Sequence, residues 1–267
     1  MSKIRIAIVT DIHNGPNIAN KQGTDALRLT EAFIKAANNY APDFTLEMGD
    51  RISAVSPQED RKNMSDIADA FQKLNGDIIS INGNNDLCFL DNADNEKILG
   101  RPLKTFAMDK DGARFIFLNW KMDNYPSANM QIKQEELDWL ECELGQSDAP
   151  TIIISHIPLY WPDRSLTNHG AIYNNIDDAR EIVENNGNVV LCMCGHKHTN
   201  KHVTINGIPY ITLQSLSQLH KDPARQQENG TYSFMEIDTD TGTIDFIIEG
   251  RYKARQHVCD DRLKIQP

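Results

Sequence analysis

Five short apolar runs in this chain each end abruptly in polar residues. The runs are Ile4–Val9, Phe44–Met48, Ile78–Ile81, Ile152–Ile154 and Val189–Met193. Short apolar runs that are rich in β-branched residues and end in turn residues predict strands buried on both faces of a sheet.

The segments between these runs show helical periodicity. Apolar residues recur at helical spacing in four segments, Thr24–Asn39, Asp60–Leu74, Gln134–Leu144 and Ile176–Asn186. Pro42 follows the first segment, as is common just beyond a helix end. The acidic segment Asp91–Glu96 instead predicts a solvated turn. Strands that alternate with helices predict an α/β fold.

The C-terminal part of the chain has a different pattern, with turn residues between paired apolar runs. An Asn-Gly turn lies within Lys201–Leu213, and Asp238–Gly242 lies within Tyr232–Glu249, so both segments predict hairpins. Together with Ala113–Trp120, they predict a second, more antiparallel sheet packed on the first. No repeat or clear linker interrupts the pattern, and residues 1–267 are expected to form a single domain.

The polar residues that follow the apolar runs include side chains that bind metals. Those at the five strand ends are Asp11, His13, Asp50, Asn84, His156, His196 and His198. Ligands bind beyond the carboxyl ends of the strands in open α/β sheets, so these side chains are expected to converge. A single Asp-x-His or Gly-Asp is more often a turn cap than a ligand pair. The recurrence at equivalent places is what indicates a metal centre.

The expected ligand set mixes oxygen and nitrogen donors. Two carboxylates, four imidazoles and one amide carbonyl suit Mn, Fe, Zn or Co better than Ca or Mg alone. A carboxylate that bridges two cations about 3.5–4 Å apart is typical of phosphoryl-transfer sites. Two divalent metal ions, with manganese, iron and zinc as the candidates, are therefore expected as cofactors of a phosphate-ester hydrolase.

The composition limits the classes of molecule that the protein is expected to bind. Lysine and arginine number 27 against 38 acidic residues, which gives a net charge of −11. Such a surface repels a nucleic-acid polymer, whereas a small phosphate ester is compatible because metal ions supply local positive charge. Neither a membrane span nor a secretory leader is expected. Five cysteines, an odd number at irregular spacing, indicate reduced thiols and a cytoplasmic protein.

The metal-binding motifs, in their order along the chain, resemble those of the calcineurin-like metallophosphoesterase family. The matching residues are Asp11-Ile12-His13, Gly49-Asp50, Gly83-Asn84-Asn85-Asp86, His156 and Gly195-His196-Lys197-His198. Gln134–Leu144 is similar to the acidic, tryptophan-containing helix of that family. The resemblance extends from Lys3 to about Leu213.

The resemblance implies a four-layer αββα sandwich, in which two mixed β-sheets are flanked by helices. It also implies a ligand assignment for each metal ion. One ion would be held by Asp11, His13 and His198, the other by Asn84, His156 and His196, with Asp50 bridging the two. The implied reaction is in-line attack of a metal-bound hydroxide on phosphorus.

Asn85 departs from the family pattern, which usually has a histidine at this position. That histidine contacts the substrate phosphate and is commonly assigned as the acid that protonates the leaving oxygen. Asparagine donates hydrogen bonds but supplies no proton near pH 7, and loss of a general acid typically costs about 10²–10⁴-fold in rate. Three explanations stay open: a native asparagine in an active diesterase, a deliberate inactivating substitution, or a degenerate relative with reduced activity. Asn85 and Asp50 are the catalytic candidates.

Several residues near the expected metal centre are candidate substrate contacts. They are Asn85, Arg51, Tyr160, Arg164, His169 and Tyr173. The last four lie in the segment after His156, and loops at this end of a sheet commonly contact substrates. Arg51 directly follows Asp50, and it either forks onto a phosphate oxygen or pairs with Asp86 or Glu47 as part of the structure.

The favoured function is a dinuclear phosphodiesterase for a small diester, of the cyclic-nucleotide or glycerophosphodiester type. A diester is favoured because the sequence has no basic cluster suited to a dianionic monoester beyond the metals and Arg51. The alternatives are a phosphomonoesterase and a weakly active interaction scaffold of the same fold. Association into a homo-oligomer is left open.

Overall fold

The computed structural model describes residues 3–122, 130–160, 173–222, 225–250 and 254–259. The helices in these ranges are α1 (Ala26–Tyr40), α2 (Pro57–Phe71), α3 (Asn92–Leu99), α4 (Gln134–Leu144) and α5 (Ile176–Asn185). The strands are β1 (Lys3–Val9), β2 (Phe44–Glu47), β3 (Ile78–Ser80), β4 (Phe106–Lys110), β5 (Ala113–Leu118), β6 (Thr151–Ser155), β7 (Val189–Cys194), β8 (Lys201–Ile205), β9 (Ile208–Thr212), β10 (His220–Asp222), β11 (Arg225–Glu228), β12 (Tyr232–Asp238), β13 (Thr243–Glu249) and β14 (Ala254–Cys259). None of these helices has both the length and the apolar character that crossing a membrane requires.

The first sheet has six strands in the order β14-β13-β12-β1-β2-β3. The strands β1, β2 and β3 are parallel, and α1 and α2 provide the crossovers that parallel neighbours need. The β12–β13 hairpin joins the same sheet antiparallel to β1. Both parallel and antiparallel pairs therefore occur in this sheet.

The second sheet also has six strands, in the order β4-β5-β6-β7-β9-β8. Its four central strands are parallel, whereas β4 and β8 pair antiparallel at the two edges. The helices α4 and α5 lie in the connections that lead into β6 and β7. This sheet is therefore mixed as well.

The main core lies between the two sheets. It contains alternate residues of the central strands, such as Ile6 of β1, Phe115 of β5 and Ile154 of β6. Alternate positions point to opposite faces of a strand, so the intervening residues pack outward. The core between the sheets thus accounts for the strongly apolar character of the predicted strands.

Helices cover the outer face of each sheet. Val9 of β1 packs with Phe33 of α1 and Phe71 of α2, whereas Ile153 of β6 packs with Leu140 of α4. The order of layers is helices, sheet, sheet, helices. This arrangement confirms the predicted four-layer αββα sandwich.

The prediction that both C-terminal hairpins share one sheet with the segment Ala113–Trp120 is wrong. The β8–β9 hairpin pairs with β7 in the second sheet, whereas β12–β13 pairs with β1 in the first. A hairpin pattern shows that one face is buried, but both sheets offer a buried face. The pattern therefore does not specify which distant strand the hairpin joins.

The acidic segment Asp91–Glu96 is a helix start and not a turn, because it opens α3. The Asp91 carboxylate accepts a hydrogen bond from the backbone N–H of Asp94 at 2.7 Å, which is an N-cap. Leu99 at the other end of α3 packs with Met64 of α2. The apolar periodicity of so short a helix is weak, so its cap is the better signal.

Candidate metal centre

The loops that follow β1, β2, β6 and β7 meet at one edge of the two sheets. His156, directly after β6, has its Nδ1 2.8 Å from the Met48 carbonyl oxygen after β2. The backbone N–H of His196, after β7, donates to Asp11 Oδ2 at 2.9 Å. The backbone N–H of Asp11 in turn donates to the Gly49 carbonyl at 2.9 Å. The fold therefore brings polar residues from both sheets together.

Five of the predicted ligand residues have a left-handed backbone conformation. The φ angles are 52° at Asp11, 51° at His13, 54° at Asp50, 66° at His196 and 56° at His198. Residues other than glycine seldom adopt positive φ, and each such residue costs on the order of 1–3 kcal/mol that the surrounding structure must offset. Strain concentrated in one group of polar side chains is typical of a functional site.

Glycines allow the loops of this edge to approach one another closely. A Cβ atom on Gly83 would lie 2.2 Å from Asp50 N, and one on Gly49 would lie 2.3 Å from Gly83 N. A Cβ atom on Gly195 would lie 2.2 Å from Thr10 Oγ1. These separations are too short for any side chain, so only glycine allows the neighbouring loops to make these backbone contacts.

Asp11, His13, Asp50 and His198 form the first of two candidate ligand groups. Their ligand atoms all lie within 4.8 Å of one another. His198 Nε2 is 2.9 Å from Asp11 Oδ1 and 3.0 Å from His13 Nε2. His13 Nε2 is 3.6 Å from Asp50 Oδ2. One cation can therefore contact donors from all four side chains.

Asp50, His156 and His196 form the second candidate ligand group, with ligand atoms that also lie within 4.8 Å of one another. His156 Nε2 is 3.4 Å from Asp50 Oδ1. Asn84 is buried nearby, next to Asn85, whose backbone N–H donates to Asp50 Oδ1 at 2.7 Å. Because Asp50 belongs to both groups, its carboxylate lies between them.

The pKa shifts of the buried side chains show that this centre favours a positive charge beside its carboxylates. Burial raises the pKa of Asp11, but the neighbouring His198 lowers it further, to about 2. Burial lowers the pKa of His156, but Asp50 raises it further, to about 9. Burial and the charge on His156 lower the pKa of His196 to about 3, so this imidazole is neutral, and its buried Nε2 has no hydrogen-bond partner within the described ranges. A neutral imidazole beside ionised carboxylates fits a divalent cation.

Two residues that the sequence analysis did not identify hold these ligands in place. Gln218 Oε1 is hydrogen-bonded to His198 Nδ1, and the backbone N–H of Gln218 donates to Ser215 Oγ at 3.1 Å. The Ser215 hydroxyl donates to the Asp11 carbonyl at 2.7 Å. An acceptor at Nδ1 fixes the ring and leaves Nε2 as the ligand atom, as is usual for metal-binding histidine. Both residues follow β9 in a polar segment without a motif.

Arg51 is a buried ion-pair residue. Its guanidinium is hydrogen-bonded to Glu47, and its Nη2 lies 3.1 Å from Asp86 Oδ2. The Asp86 carboxylate also accepts the backbone N–H groups of Asp50 and Gly83, both at 2.9 Å. Of the two alternatives for Arg51, the structure has the internal ion pair, which corrects its assignment as a substrate contact. The guanidinium instead joins the loops that carry Asp50 and Asn84.

The other predicted substrate contacts lie in different places. Asn85 is partly exposed beside Asp50. Tyr160 is partly exposed and borders a cavity of about 360 Å³. Tyr173 is buried against Trp120 in the core outside the second sheet, which corrects its assignment as a substrate contact. The remaining two lie outside the described residues: Arg164 and His169.

Two ligand groups share one carboxylate at the strand ends of an αββα sandwich. This arrangement is typical of dimetal phosphoesterases. Residues 4–200 match the family model of the calcineurin-like phosphoesterases. The chain therefore belongs to this family of metal-dependent phosphoesterases, as its motifs predict. No curated protein matches the sequence significantly.

Solved structures of the same fold cover nearly the whole chain. It is similar to a dimetal phosphatase from Danio rerio, with a TM-score of 0.76 and 12% identity over 97% of this chain and 99% of that chain. It is also similar to GAP50, the anchor in the inner membrane complex of Plasmodium, with a TM-score of 0.63 and 15% identity over 97% and 90%. A purple acid phosphatase from yellow lupin seeds matches with a TM-score of 0.65 and 15% identity, over 98% of this chain and 55% of that chain. These similarities establish the shared fold.

Proposed function

We propose that the protein is a dinuclear metal phosphodiesterase that hydrolyses a small phosphodiester. The observation that supports this most is that Asp50 belongs to both ligand groups, because one carboxylate can then bridge two cations. One cation would be held by Asp11, His13 and His198, the other by Asn84, His156 and His196, with Asp50 between them. Manganese, iron and zinc suit this mixture of donors.

The protein groups around the centre orient it for this chemistry. When bound, two divalent cations neutralise phosphoryl charge and lower the pKa of water. The Met48 carbonyl and the Gln218 amide hold the rings of His156 and His198 through their Nδ1 atoms. Asn85 Nδ2 donates to Asp50 Oδ2 at 2.6 Å, which leaves the second hydrogen of the same amide for a phosphoryl oxygen.

A diester is favoured over a monoester because of charge. A monoester is a dianion at neutral pH and needs more positive charge around its phosphate than a monoanionic diester does. Arg51 is the cation nearest to Asp50 in sequence, but its guanidinium is engaged by Glu47 and Asp86. It therefore contributes no charge to the substrate.

The test is a comparison of metal content and hydrolysis. Protein purified without chelator is analysed for bound metal and, after loading with Mn²⁺, assayed with bis-p-nitrophenyl phosphate and p-nitrophenyl phosphate. We expect close to two equivalents of metal and faster turnover of the diester. Asp50→Asn is expected to lose most of both properties, because the amide is a weaker bridging ligand. His202→Ala, which removes a histidine from β8, is the matched control and is expected to keep both.

Two outcomes of this test would contradict the proposal. Faster turnover of the monoester would identify a phosphomonoesterase. Less than one equivalent of metal, together with no hydrolysis after loading, would favour an interaction scaffold of the same fold.

A further inference from the structure

A cavity of about 640 Å³ lies beside the loop that carries Asn84. Asn82, two residues before Asn84, forms part of its wall, and residues 119–122 after β5 form another part. The strand β5 is parallel to β6, so both strands end at the edge of the sheet where His156 follows β6. Asn82 and Leu87, which both line the cavity, lie two residues before Asn84 and two residues after Asn85, so the cavity lies close to the candidate metal centre. Its volume suits a nucleoside-sized group.

Large apolar side chains form much of the cavity wall. Trp120 and Trp139 both line it, together with Leu87 and Leu90. Trp120 and Leu90 are buried, whereas Trp139 is only partly buried. Indole rings offer flat faces on which any planar aromatic ring can stack.

Amide groups give the same cavity hydrogen-bonding capacity. Asn119 Oδ1 accepts the backbone N–H of Asn82 at 2.6 Å, and the Asn92 side-chain carbonyl accepts from Asn82 Nδ2 at 2.7 Å. These bonds fix the three amides as a rigid polar wall. Asn92 is partly exposed, and its Nδ2 has no hydrogen-bond partner among the residues that the structure describes. This N–H₂ group can donate to a ring nitrogen or a carbonyl oxygen of a ligand.

The charges around the cavity argue against a second phosphate group. Lys104 and Lys121 line the cavity, but so do four acidic residues: Asp91, Glu96, Glu135 and Glu136. The acids offset the two lysines, so the cavity does not concentrate positive charge. A neutral ligand group is favoured for this reason.

We propose that this cavity binds a neutral heteroaromatic group of the substrate, of the nucleobase type, while the phosphodiester reaches the metal centre. The inference rests on the proposed function for the position of the phosphate. Binding of the ring itself depends only on the cavity. Trp139 is the stacking residue, and the amide wall faces the polar edge of the ring.

The first experiment measures hydrolysis of two p-nitrophenyl diesters by the Mn²⁺-loaded protein. Thymidine 5′-(p-nitrophenyl phosphate) carries a nucleobase, whereas methyl p-nitrophenyl phosphate does not. Loss of base stacking on an aromatic side chain typically weakens binding by about 5–150-fold, so Trp139→Ala is expected to lower kcat/KM for the thymidine ester by a factor in this range. The methyl ester lacks the ring, so the ratio of the two kcat/KM values is the measurement, and a circular dichroism spectrum like that of the wild type shows that the variant is folded. Trp139→Phe keeps a flat ring and is expected to restore most of the loss.

The second experiment measures binding of thymidine alone, without added metal. Two of the three tryptophans of the chain line the cavity, so quenching of tryptophan fluorescence reports ligand entry. We expect saturable quenching that Trp139→Ala weakens. Quenching without hydrolysis of either ester would contradict the proposed phosphodiesterase function and would still support binding of the ring in this cavity. No quenching, or equal loss on both esters in Trp139→Ala, would overturn the inference.

Discussion

The side-chain amide of Asn85 donates a hydrogen bond to Asp50 Oδ2 over 2.6 Å, and the Asn85 backbone N–H donates to Oδ1 of the same carboxylate over 2.7 Å. Both oxygens of the carboxylate shared by the two ligand groups are thus held by one residue. Asparagine at this position therefore has a physical role that does not require a proton. The bonds fix the orientation of Asp50 between the two groups.

Replacement of Asn85 is expected to separate positioning from acid catalysis. In Asn85→His, an imidazolium can protonate the leaving oxygen, and a general acid typically contributes about 10²–10⁴-fold. We expect hydrolysis of an alkyl diester to rise by at least about 10-fold. Bis-p-nitrophenyl phosphate is expected to gain nothing from the added acid, because p-nitrophenolate leaves without a proton. The ratio of the two rates is the measurement.

Asn85→Ala is the control for the same position. It removes the bond to Asp50 Oδ2 and adds no acid, so both esters are expected to react more slowly. An unchanged ratio of the two rates in Asn85→His would show that position 85 does not reach the leaving group.

Gly83 is expected to tolerate no side chain, because its Cβ would lie 2.2 Å from Asp50 N. Gly83→Ala should therefore separate the loops of Asp50 and Asn84 and cost on the order of 3 kcal/mol or more of unfolding free energy. Gly187→Ala is the matched control, since a Cβ there meets nothing within 4 Å. Thermal unfolding and bound metal measure the effect. Equal melting temperatures for the two variants would refute the close approach.

Arg51 is expected to act through stability, because Glu47 and Asp86 surround its buried guanidinium. Removing one partner of a buried ion pair typically costs about 3–5 kcal/mol, so Arg51→Met should shift urea unfolding by this amount. Arg28→Met removes an exposed pair with Asp25 and should change unfolding little. If Arg51→Met left unfolding unchanged and only raised KM, the guanidinium would have to contact substrate after all.

Gln218 is expected to tune metal affinity through His198. Loss of a group that orients a metal-binding histidine typically weakens metal binding about 10–100-fold, so Gln218→Ala should need more Mn²⁺ for half-maximal activity and binding. Gln214→Ala is the matched control, because the Gln214 side chain contacts Asn200 and not a predicted ligand. Isothermal titration with Mn²⁺ checks both variants. Equal affinities would show that Gln218 is not needed to orient the ring.

The sequence predicted the strand ends well, because burial on both faces makes each strand a dense apolar run. The places of Asp11, Asp50 and His156 follow directly from those runs, and their meeting follows from the parallel order of the strands. The β12 strand was harder to place. It pairs with β1 across more than two hundred residues, as in Ile4 with Ile237, and no local pattern encodes such a partner.

The supporting residues of the site could not be predicted for a related reason. Ser215 and Gln218 contact Asp11 and His198 through hydrogen bonds that depend on tertiary structure alone. Arg51 was undecided between two roles because its burial depends on the position of Asp86, on a separate loop. Motif spacing identifies side chains that are close to a strand end, and it says nothing of which neighbours orient them.

The shared carboxylate of Asp50 has a consequence for the order in which the centre fills. Because Asp50 belongs to both ligand groups, a first cation on either side would neutralise part of the negative charge that attracts the second. The two sides are therefore not independent, and a titration with metal should show two unequal steps. Occupancy of one side alone would be a defined intermediate stage in assembly.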